Sequence, residues 1–178
     1  MAKVVDRYLT RGDGPLIICD FSPPRGGLPD FLKAAKHIGA DFLSVAYSPG
    51  MSVRVNSMVA AYAIKVKFDK EVIFTLATRD MNKMAIQSLL LGAQLLDLEN
   101  VVVVMGDPFT DQLHRKVGDC LPTDLIKSIT GMNRRIDFKG KSLHHPTEFC
   151  IGATVDLGRD FEAELNLTRR KINAGAHF

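Results

Sequence analysis

Cysteine is scarce: Cys19, Cys120 and Cys150 are odd in number, far apart and never spaced as C-x-x-C. That excludes a complete disulfide frame and argues against a zinc site, so a reducing, cytoplasmic location is expected. Charge of one sign is just as thin. Lys and Arg total 23 against 20 Asp and Glu, a formal net charge of +3 spread along the chain, so no basic tail for nucleic acid is expected. Long apolar runs are missing too. The richest, Ala85 to Leu98, is broken by Gln87, Ser88, Gln94 and Asp97, and the opening MAKVVDRYLTRGDG is charged where a signal peptide needs an apolar stretch. Neither membrane span nor secretion signal is expected. With 46% apolar and 24% charged residues in 178, the chain can bury a core as a single domain.

What is present is a two-beat pattern. Short β-rich runs, Leu16 to Phe21, Phe42 to Tyr47, Val72 to Thr78, Val101 to Met105 and Phe149 to Val155, alternate with longer stretches of helical period. Most of the short runs are almost continuously apolar, as suits strands of a parallel sheet covered on both faces. The long stretches are Asp30 to Ile38, Val53 to Val66, Met81 to Leu96, Thr123 to Met132 and Phe161 to Ala174. Asp80 is the expected N-cap of the third, Pro122 to Asp124 open the fourth, and Gly39 and Gly175 are expected as left-handed C-terminal residues.

Five βα units in α/β order fit either an open doubly wound sheet or part of a (βα)8 barrel. The doubly wound alternative would be favoured by G-x-G-x-x-G after the first strand, which is missing. Polar residues instead recur at the ends of successive strands: Asp20, Tyr47, Thr78 with Arg79 and Asp80, Gly106 with Asp107, and Thr154 with Asp156. A barrel builds its active site from such a ring. The expected fold is therefore an incomplete (βα)8 barrel, with residues 1–15 as an N-terminal extension and 16–178 as five units.

Asp20 ends an apolar strand before Ser-Pro-Pro. A carboxyl desolvated at such a rim keeps its proton towards neutrality and can act as a general acid; pairing with Arg25 is the plainer alternative. Asp107 follows Gly106, where the missing side chain leaves room for a flat ligand, although Asp-Pro also starts ordinary turns. Arg79 and Asp80 read equally as an ion pair with a helix cap or as ligand contacts. Arg169, Arg170 and Lys171 lie near a helix C-terminus, where cations usually face water but can also hold a diphosphate. His144 and His145 are adjacent, poor geometry for one metal ion, and no metal is expected.

Several segments together resemble the methylenetetrahydrofolate reductase family, flavin-dependent barrel enzymes of one-carbon metabolism. They are, in order, DFSPPRG, TLATRDMNKMAIQSLLLGAQLL, ENVVVVMGDP, FCIGATVD and RRKINAGAHF, together spanning most of the chain. The resemblance implies NADH or NADPH as electron donor, FAD as carrier and methylenetetrahydrofolate as the acceptor that becomes methyltetrahydrofolate. It implies that Asp107 sits beside flavin and pterin, and that Asp20 stands where the family has the Glu that protonates the folate. Arg170 and Lys171 match FAD-holding basic positions, and Glu164 matches an acidic one. Tyr47, Thr75, Ala77, Gly106, Gly152 and Thr154 fall in the strand-end stretches lining the flavin.

Some positions depart from the pattern. Asp20 is one methylene shorter than Glu, roughly 1.5 Å of reach. Thr75 and Thr154 replace the His and Tyr of many members, and Met105 replaces the Arg of some. The family's barrel has three further strands, so the sequence is expected to be a piece of a longer product, or else two copies complete each other; a homo-oligomer or a partner subunit is the expected association. A non-catalytic flavin- or folate-binding subunit and a flavin-free methyl-transfer barrel are the alternative functions.

Overall fold

The computed structural model describes residues 2–110 and 113–178. Strands β1 (Ile18–Phe21), β2 (Phe42–Val45), β3 (Val72–Ala77), β4 (Asn100–Val104) and β5 (Cys150–Ala153) form one parallel sheet in consecutive order. The helices are α1 (Val4–Thr10), α2 (Lys33–Lys36), α3 (Ser57–Phe68), α4 (Lys83–Leu95), α5 (Pro122–Asn133) and α6 (Phe161–Ala174). This is the α/β order of a partial (βα)8 barrel. No helix among the described residues is long and apolar enough to cross a membrane.

Alternation along the strands separates two cores. Leu43, Val45, Val72, Phe74, Leu76, Val101, Val103 and Ile151 face the helices and pack with Ala60, Ile64, Ile86, Leu90, Ile126 and Ile129. The opposite, inward face carries Phe42, Ile73, Val102 and Cys150, joined by Val4, Leu16 and Phe178. β3 is buried at all six positions, so its unbroken apolar run has the cause the sequence suggests.

Helix α1 lies within the stretch expected as an N-terminal extension. α1 closes the N-terminal end of the sheet's inward face, and Asn100, fully buried at the start of β4, holds it there. The Asn100 Oδ1 accepts from the Val4 amide at 3.0 Å, while Nδ2 donates to Ala2 O at 3.0 Å and Val72 O at 3.3 Å. At the far edge, the amides of His177 and Phe178 donate to Ile151 O at 2.7 and 3.4 Å, and Ala153 N donates to Phe178 O at 2.9 Å. The tail thus lies along β5, with the Phe178 ring over Gly152, where a Cβ would meet it at 2.7 Å.

Four local expectations need correction. Asn82, not Asp80, caps α4, its side chain accepting from Ala85 N at 2.9 Å, because the Asp80 carboxylate is taken by Arg79. The helix expected from Val53 begins at Ser57, where Asn56 accepts from the amides of Met58 and Val59. Gly39 is not among the residues with positive φ, whereas Gly175 is, at 114°. The stretch from Asp30 is a 3-10 turn, Pro29–Leu32, followed by the single turn of α2.

Candidate functional site

The C-terminal ends of the strands carry two polar clusters. The first is built on Arg79, just past β3. Its side chain is only 5% exposed, yet its charge is met on several sides. Nε and Nη2 donate to the two Asp80 oxygens at 2.6 and 2.9 Å, and Nη1 donates to the Asp107 carbonyl at 2.8 Å. The guanidinium carbon lies 4.2 Å from the centroid of Phe109, whose ring stacks on His114 at 5.0 Å. Burying a guanidinium is tolerable only when its donors are used, and this fork geometry uses them well.

Electrostatics follows from that arrangement. The Arg79 hydrogen bonds hold the Asp80 carboxyl below the usual carboxylate range, with a further bond from Tyr47. Burial, then the Asp80 charge and hydrogen bond, push the Tyr47 phenol up to about 12, so it remains a neutral donor at any physiological pH. Gly106 makes room for all this. Its φ is 85°, and a Cβ there would lie 3.2 Å from Arg79 Cβ and 3.4 Å from Ala77 Cβ. Asp107 emerges from this turn with its side chain exposed beside a cavity of about 440 Å³ lined by Arg79, Met105, Gly106, Phe109, His114 and Lys116.

The second cluster joins β5 to α6. Glu164 and Lys171 are 5% and 7% exposed and pair at 3.7 Å. Lys171 Nζ also donates to the Thr154 carbonyl, and Glu164 Oε1 accepts from the Asp156 amide at 3.2 Å. Arg159 bridges Asp156 at 3.1 Å and approaches Glu164 at 3.8 Å. These contacts tie the residues after β5 to the helix. Beside them is a cavity of about 290 Å³ that includes Met105, Thr123, Thr154 and Arg170. Met105, just past the end of β4, lines both cavities.

The structure brings some of the expected residues together. By strand parity Asp20, Thr75, Ala77 and Gly152 share the inward face, and Thr154 continues it just beyond β5. Asp20 pairs in register with Ser44. It is exposed, however, so the desolvation expected of it is not supplied by the described residues. No ion pair joins it to Arg25 among them either. Thr75 is nearly buried, its carbonyl accepting from Ser57 Oγ at 2.6 Å. Lys171 is turned to Thr154 and Glu164, while Arg170 is exposed beside the smaller cavity.

Phe109, His114 and Arg159 were not singled out by sequence reasoning. Phe109 has a faint signal, an aromatic two residues after Asp107 in a polar loop. Nothing local marks Arg159, which acts through a turn.

A family model described as methylenetetrahydrofolate reductase matches residues 8–178 of this chain.

Proposed function

The chain belongs to the methylenetetrahydrofolate reductase family, and on that premise we propose that it is a flavin-dependent oxidoreductase converting methylenetetrahydrofolate to methyltetrahydrofolate at the expense of NADH or NADPH. Membership supports a folate-related one-carbon oxidoreductase; the finer reading rests on the rim. The observation that carries it is the exposed Asp107 on a glycine turn, its backbone held by a buried arginine. A carboxylate so placed can recognise the N–H edge of a pterin.

The rim also suits FAD. Two cavities flank Met105, the larger bordered by Gly106 and Asp107, and exposed Arg170 beside the smaller is available for a diphosphate. Of the strand-end residues expected to line such a cofactor, Gly106 and Thr154 border the two cavities, while Ala77 is buried and Gly152 is covered by Phe178. Glu164 and Lys171 would shape its site rather than touch its phosphates, since each already holds the other. When bound, FAD supplies hydride transfer between nicotinamide and folate. Asp107 orients the pterin, and Asp20 delivers the proton that opens the methylene bridge.

The commitment of Lys171 favours a second reading, folate binding without redox chemistry. An absorbance spectrum of the purified protein, followed by anaerobic titration with methyltetrahydrofolate, separates the two. A flavin band that bleaches on addition is the expected result. A colourless protein that still binds methyltetrahydrofolate supports the second reading, and absence of binding overturns both. In the flavin-loaded case, Asp20→Asn should slow folate-dependent reoxidation while leaving flavin reduction by nicotinamide unchanged.

A further inference from the structure

An ion pair between neighbours in sequence needs no more than Arg79 and Asp80, yet Arg79 does much else. Its third donor goes to the Asp107 carbonyl, and its flat face lies over Phe109. Its own carbonyl accepts from Val117 N at 2.9 Å. Both sides of the loop after β4 therefore converge on one buried residue. Asp80, which fixes the guanidinium plane, also interacts with the Tyr47 phenol. The ends of β2, β3 and β4 are thus linked through three side chains.

We infer that Arg79 is a positioning residue: it sets the direction of the Asp107 carboxylate, and through it the recognition of the folate's pterin. This rests on the folate reading above. Gly106 gives the turn its sharp path but no rigidity of its own, since a residue without Cβ has the widest backbone freedom. The hydrogen bond to the Asp107 carbonyl removes that freedom at the next peptide, while the carboxylate stays open to the cavity. Lysine cannot replace arginine here. A single ammonium cannot pair with both Asp80 oxygens, reach the carbonyl and present a flat face to Phe109.

The test is equilibrium binding of methyltetrahydrofolate to the full chain, measured calorimetrically without turnover, for R79K, D107N and the double variant. R79K is expected to weaken binding about tenfold, and D107N comparably. The double variant should bind no worse than D107N, because once the carboxylate is gone nothing remains to be aimed. A double variant whose losses multiply would make Arg79 a general structural support and overturn the proposal, as would R79K binding like wild type. If R79K shows no cooperative unfolding, F109L takes its place, removing the stacked face but not the ion pair. It should weaken binding about threefold, again without adding to D107N, and an additive loss overturns the proposal. A wild-type chain that binds no methyltetrahydrofolate fails at the earlier step and overturns the folate reading first.

Discussion

Substituting Gly106 by alanine tests how closely the fold and the site are joined. Two costs are expected. The first is backbone strain, about 1–2 kcal/mol for an L residue in the left-handed region, since φ is 85°. The second is crowding. The new Cβ would lie 3.2 Å from Arg79 Cβ, and Arg79 cannot easily retreat, because its guanidinium is tied to Asp80 and to the Asp107 carbonyl. Overpacking of this kind costs about 1–3 kcal/mol. Gly140 separates the two contributions: its φ is 77°, nearly the same, but nothing lies within 4 Å of its would-be Cβ. Gly140→Ala should therefore show the strain alone. Urea unfolding of both variants, read as midpoint shifts at constant slope, gives the difference directly. Gly106→Ala should lose at least about 1 kcal/mol more than Gly140→Ala. Equal losses to within about 0.5 kcal/mol would refute the close approach between the β4 turn and Arg79.

Two further outcomes follow from the same contacts. Asn100→Ala strips three backbone groups of a partner, two of them in buried hydrogen bonds, and each buried one costs about 1–3 kcal/mol if left unsatisfied. The loss is capped by release of α1 into water, so about 2–3 kcal/mol is expected, together with loss of hydrogen-exchange protection at the Val4 amide; unchanged protection there would show that Asn100 does not anchor the helix. Stability should also fall at both ends of the pH scale. The Asp80 value is depressed in the fold, so its contribution is present above about 3.9 and is lost as pH drops below that. The Tyr47 value is raised, so its contribution is present below about 10 and is lost as pH climbs from there to about 12. Urea midpoints against pH should show the alkaline loss in wild type and a flatter limb in Tyr47→Phe.

Periodicity located the five strands to within a few residues, because burial on both faces leaves an unbroken apolar run and neighbouring elements pair in order. The chemistry-bearing positions were legible for a related reason. A buried strand carries most of its polar groups near its ends, so Tyr47, Arg79, Asp107 and Thr154, with Asp20 near the end of the more exposed β1, stood out from apolar surroundings. α1 was not legible. Its seven residues have no side-chain cap and are too few to be helical alone; Asn100, some 96 positions away, holds them. Local spacing allows Asp80 as a cap, and only the buried Arg79 beside it decides otherwise.

Sequence by itself determined the α/β order, the consecutive parallel strands and the identity of the polar rim, since these depend on short-range pattern and on which residues tolerate burial. Tertiary structure alone decided what those rim residues do to one another. Arg79 was directed to the Asp107 carbonyl and Phe109, Lys171 was turned inward to Glu164 and Thr154, and Asp20 was left exposed. Hydrogen bonds and ion pairs between strand ends span dozens of residues, and a buried charge takes whichever partner the packed fold brings within reach.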